Sequence, residues 1–248
     1  MLQNAPARAR PTGPPRGSAS ARGARAALAA ALCAGGALAA LIAVILIWSA
    51  RASHEDPPYV SGLGAPGEPT EEVFRVALTL VGLSGILVGL GSWGSRAGRI
   101  AAAGALALTA AGLCFVGAAA TPCTPGCPAP SSALFTAQDF AHLVLAITGF
   151  VLACVAMLLF AFRGRAWAVL SCTAASLVAV IAGTGGLLSL ADTATDFGAL
   201  CEYIATSIGI AWLIATGLVS SVQLSRRRRP AAAETPQPAA PGTSSPLS

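Results

Sequence analysis

AALAAALCAGGALAALIAVILIWS, residues 26–49, runs without a single charged or amide side chain and carries Trp48 near its end. As a helix it is about 36 Å long at ~1.5 Å per residue, enough to cross a hydrocarbon core of ~30 Å. The run exceeds the ~7–15 apolar residues of a cleaved signal peptide. The small-residue sequence SARAS, residues 49–53, resembles a signal cleavage site, but the length of the run favours an uncleaved signal anchor. Five further runs of comparable length follow at 73–93, 100–119, 140–162, 166–190 and 200–224. The expected fold class is therefore all-α: a polytopic membrane protein with a six-transmembrane-helix bundle over residues 26–225. Residues 1–25 form an Arg-containing tail, and residues 226–248 an Arg-rich then Pro/Ala/Ser-rich tail. Both are aperiodic and expected to be disordered.

Composition agrees with that reading. The chain is 55% hydrophobic and 10% charged, with a mean hydropathy of +0.71, far from ordinary soluble proteins. All basic residues are arginine and the net charge is +5, but no basic face interleaved with aromatics is present to stack bases, which excludes nucleic acid as a partner. The absence of lysine beside abundant Ala, Arg, Gly and Pro fits a GC-rich bacterial genome.

The arginines give the chain a direction. Arg8, Arg10, Arg16, Arg22 and Arg25 precede the first run, Arg96 and Arg99 separate the second and third, Arg163 and Arg165 the fourth and fifth, and Arg226 to Arg229 follow the sixth. All lie on one side if the chain crosses six times. The other side holds Glu55, Asp56, Glu68, Glu71, Glu72, Asp139, Asp192 and Asp196, with Arg51 and Arg75 as exceptions. Positively charged loops stay on the cytoplasmic side. Both termini are therefore expected to be cytoplasmic, in a multi-pass protein of a bacterial plasma membrane.

Few residues offer chemistry. Cys123 and Cys127 flank Thr-Pro-Gly in the second outer loop, where a disulfide is the first choice and Cys201 competes for either partner. Cys33, Cys114, Cys154 and Cys172 lie inside apolar runs as small hydrophobes. His142 stands one helical turn after Asp139 at the outer start of the fourth run. Thr136 and Asp139 also have the spacing of a capping box, so the aspartate reads as a cap before it reads as a catalytic acid. Glu202 and Tyr203 occupy the matching depth at the start of the sixth run, where a carboxylate either seeks a partner such as His142 or complements the helix N-terminus. Ser61, in the Gly/Pro-rich loop YVSGLGAPGEP at 59–69, completes the candidate polar cluster: His142, Asp139, Glu202, Tyr203 and Ser61. With two histidines in all, neither a paired-histidine haem nor a multi-histidine metal site can be assembled, and no cofactor or metal is expected. No GxSxG, HExxH or Walker A sequence occurs. GILVG, residues 85–89, and GTGG, residues 183–186, read as sites of close helix packing.

VSGLGAPGEP followed by FRVAL resembles the signature after the first helix of the bacterial membrane family called domain of unknown function 998. The resemblance spans residues 26–224 and implies about six membrane helices. It places the family's Ser-x-Leu-Gly-Ala segment at residues 61–65, its cysteine loop at residues 123–128, the histidine opening helix 4 at His142 and the acidic residue of helix 6 at Glu202. Three positions depart from the pattern: Gly62, where an acidic residue often follows the serine; Arg75, where an asparagine often follows the phenylalanine; and Tyr203, where an arginine often follows the carboxylate. No activity comes with the resemblance. The expected role is a binding or accessory protein with an outward-facing polar cluster, taking the lipid bilayer as partner and a lipid or small molecule as ligand. The alternatives are a membrane-embedded enzyme acting on lipid and a small-solute transporter.

Overall fold

Each of the six apolar runs is a helix in the computed structural model of the chain, which describes residues 16–54, 59–93, 98–191 and 193–226. The helices are α1 (Arg16–Ala52), α2 (Glu71–Trp93), α3 (Gly98–Ala120), α4 (Ala137–Phe160), α5 (Arg165–Leu190) and α6 (Thr195–Arg226). Two short 3-10 turns, Val60–Gly64 and Ala161–Arg163, join α1 to α2 and α4 to α5. All six helices are long and apolar enough to cross a membrane. They overrun the apolar stretches by a few residues because backbone hydrogen bonding continues into polar and capping residues. α1 reaches back to Arg16 through a segment rich in alanine and arginine, both good helix formers. The remainder of the two tails, with Arg8, Arg10 and Arg227 to Arg229, lies outside the described residues.

Sequence neighbours are spatial neighbours around the bundle, and α6 closes the ring against α1 while also touching α2. With short connections each helix runs antiparallel to the last. The α1–α2, α3–α4 and α5–α6 connections therefore share one end, here the Ser61 end. The α2–α3 and α4–α5 turns share the other, the Arg163 end, with the start of α1 and the finish of α6.

The helices are built small side inward. α1 buries Cys33, Ala37, Ala40, Ala43, Ile47 and Ala50, spaced three or four apart, and turns Leu38, Leu41, Ile42 and Ile45 outward. In water such a surface would be costly, but in lipid it is the expected face, and small residues let the backbones approach. Close approach is clear between α2 and α3. A Cβ on Gly82 would fall 2.6 Å from the Gly112 carbonyl oxygen, and one on Gly89 would fall 2.8 Å from that of Ala105. Gly85 also packs on Gly112, so GILVG is used within the bundle. In GTGG, Gly185 packs on α6 while Gly183 and Gly186 face open space. Sparse polar links cross the helices, including Ser84 Oγ to the Gly36 carbonyl at 2.7 Å and Trp212 Nε1 to Ser171 Oγ at 2.9 Å.

Candidate functional site

The Gly/Pro-rich loop folds back into the Ser61 end as the 3-10 turn Val60–Gly64, with Leu63 wholly buried. Tyr59 and Gly62 carbonyls accept from Gly62 and Ala65 N–H at 2.8 and 3.0 Å. Thr70, just before α2, donates its hydroxyl to the Leu63 carbonyl at 2.9 Å. Gly64 leaves room for Phe74, whose ring would lie 2.5 Å from an added Cβ. From across the bundle, Glu202 Oε2 on α6 accepts the Val60 N–H at 3.0 Å. The turn is thereby tied to both α2 and α6.

Asp139 organises the neighbouring loop. It is 3% exposed and accepts from Thr124 N–H at 2.7 Å, Thr136 N–H at 2.8 Å and Thr136 Oγ1 at 2.7 Å. The Thr124 hydroxyl lies 2.9 and 3.0 Å from its two oxygens. Thr136 and Asp139 form a complete capping box at the start of α4. Thr124 sits between Cys123 and Cys127, which are disulfide-bonded with their Cα atoms 5.1 Å apart. Cys201 is a free, buried thiol on α6. The Cys123 sulfur lies 3.8 Å from the Ser61 carbonyl oxygen, so the cysteine loop abuts the 3-10 turn.

His142, one turn beyond Asp139, is buried and caps α3. Its Nδ1 lies 3.2 Å from the Ala118 carbonyl and 2.9 Å from that of Thr121. Carbonyls only accept, so these partners place an N–H at Nδ1. His142 and Ser61 line one narrow cleft of about 10 Å³, walled by Phe74, Arg75 and Pro122. That is about the space one water requires. Arg75 is ion-paired with Glu72 at its rim.

On the other side of the turn Tyr203, 1% exposed, packs against Trp48 with ring centroids 5.8 Å apart. The Arg51 guanidinium lies 5.3 Å from the Tyr203 ring and 5.8 Å from that of Trp48. Trp48 Nε1 donates to Ser207 Oγ at 3.1 Å. Tyr59 lies over Gly198, whose added Cβ would be 3.0 Å from its hydroxyl oxygen.

The five candidate residues thus occupy one end of the bundle but divide into separate settings. Ser61 and His142 share the cleft, Glu202 holds the turn from behind, Asp139 faces the threonines, and Tyr203 belongs to the aromatic cluster. Among the described residues no hydrogen bond joins His142 to Asp139 or Glu202. Nor do the described residues include three or more His, Cys, Asp or Glu side chains grouped to hold a metal. Sequence reasoning read Thr70 only as a cap of the second span and passed over Thr124 and Arg51. Arg51 did leave a signal, as an exception to the arginine asymmetry beside a terminal Trp.

A family model described as protein of unknown function (DUF998) matches residues 33–219, from within α1 to near the end of α6. No curated protein and no solved structure matches the chain.

Proposed function

Because the chain belongs to the DUF998 family, whose function is unknown, we propose its role from its own geometry: a non-enzymatic binding or accessory protein of a bacterial plasma membrane. Both termini are cytoplasmic in this reading, and the Ser61 end faces outward. One observation carries it. Three ionisable side chains of that end bond backbone groups, Glu202 to Val60, Asp139 to Thr124 and Thr136, and His142 to Ala118 and Thr121. Such bonds shape an ordered surface; they do not align an acid with a base. The 3-10 turn roofs the Ser61–His142 cleft, and a lipid or small-molecule ligand enters by lifting it. Continuous helices across all six described spans weigh against transport by broken helices.

The test is native mass spectrometry of the full chain purified in mild detergent, with Ser61→Trp filling the cleft. A co-purifying molecule lost in that variant is the expected result. Lipid turnover by the purified protein that disappears in His142→Ala would overturn the reading in favour of an enzyme. That second reading draws on His142 lining the same cleft as Ser61.

A further inference from the structure

Among the described residues, Arg163 at the other end of the bundle has no ion-pair partner. Arg163 closes the turn between α4 and α5, a position from which a long cationic side chain ordinarily extends toward water. Its guanidinium carbon instead lies 3.6 Å from the centroid of the Phe160 ring. Phe160 is wholly buried and packs edge-on to Trp212 at 5.5 Å. Nη1 donates to Ser220 Oγ on α6 at 3.3 Å. A guanidinium carries five N–H donors, and among the described residues this is the one hydrogen bond Arg163 makes. The described ion pairs, His54–Glu68 and Glu72–Arg75, lie at the Ser61 end. Asp139, Asp196 and Glu202 open α4 and α6 at that same end, about 35 Å away along a helix of α4's length. One turn from Ser220 on the same face of α6, Thr216 is wholly buried and its hydroxyl oxygen has no hydrogen-bond partner among the described residues.

A partly buried charge met, among the described residues, by an aromatic face and one hydroxyl is costly at a membrane boundary, because neither neutralises the cation. The Phe160 ring and Ser220 contact the guanidinium from two elements. A planar fork with free N–H groups matches the oxygens of a phosphate, and helix ends lie at headgroup depth. We propose that this end binds a phosphate group, with the Arg163 guanidinium as its principal ligand and the α6 hydroxyls beside it. A phospholipid headgroup and inorganic phosphate share that chemistry.

The full chain in dodecyl maltoside is titrated separately with sodium phosphate, sodium chloride at matched ionic strength, phosphatidylglycerol, and diacylglycerol of the same chains. Binding raises the melting temperature by roughly 5 °C at about 100-fold over Kd. A shift with phosphate beyond that of chloride assigns a free anion; one with phosphatidylglycerol beyond diacylglycerol assigns a lipid. Arg163→Gln abolishes the shift. Arg163→Lys, which keeps the charge without the fork, weakens the apparent affinity about tenfold. Absence of any phosphate-specific shift, or a shift unchanged in Arg163→Gln, overturns the proposal.

Discussion

At Asp139, two carboxylate oxygens serve the cap of α4 and the backbone of the disulfide loop together. Asp139→Ala leaves the Thr136 and Thr124 N–H groups without their acceptor and is therefore expected to destabilise the protein by about 1–3 kcal/mol. Thermal unfolding in detergent, followed by tryptophan fluorescence, measures it; a loss no greater than that of an exposed substitution would contradict the assigned role. Glu202 invites a finer distinction. A glutamine there keeps an oxygen for the Val60 N–H, whereas alanine removes it. Glu202→Ala should speed amide exchange across 60–64 while Glu202→Gln leaves it near the wild-type rate. Equal acceleration in both would make charge, rather than the hydrogen bond, the tether.

Between elements, α2 and α3 depend on glycine for their separation. Gly112→Val places a side chain on the Gly82 carbonyl and the Ile86 backbone, so a loss of about 1–3 kcal/mol or a displaced helix pair is expected. Gly183→Ala on α5 meets nothing within 4 Å and gains helix propensity, so its stability should match or slightly exceed the wild type. Comparing the two unfolding midpoints tests the assignment, and equal losses would refute it. Sequence alone could not rank these glycines, since in so alanine-rich a chain every helix offers small-residue spacings. Which spacing meets a neighbour depends on helix rotation. The Thr136–Asp139 cap, in contrast, was legible, because both partners lie within one turn of the same chain.

For the whole molecule, the proposed orientation makes a prediction. An epitope inserted after Ser131 should be accessible to antibody on intact spheroplasts, and one after Gly164 only after permeabilisation; the reverse pattern would invert the arginine argument. Six helices, their approximate limits and the family were readable in the chain itself. Length and hydropathy act along the sequence, and a bilayer admits few alternatives to a spanning helix. The sharing of one end by Ser61, His142 and Glu202 followed from counting crossings. Their actual partners did not. Asp139 turns to Thr124, His142 to the carbonyls of α3, Glu202 to Val60, and Arg163 inward onto Phe160. Tertiary structure decided these because a hydrogen bond or a ring contact is set within a few ångströms by how helices rotate and loops descend between them. Hydropathy reports the depth of a residue in the bilayer and is blind to the direction in which its side chain turns.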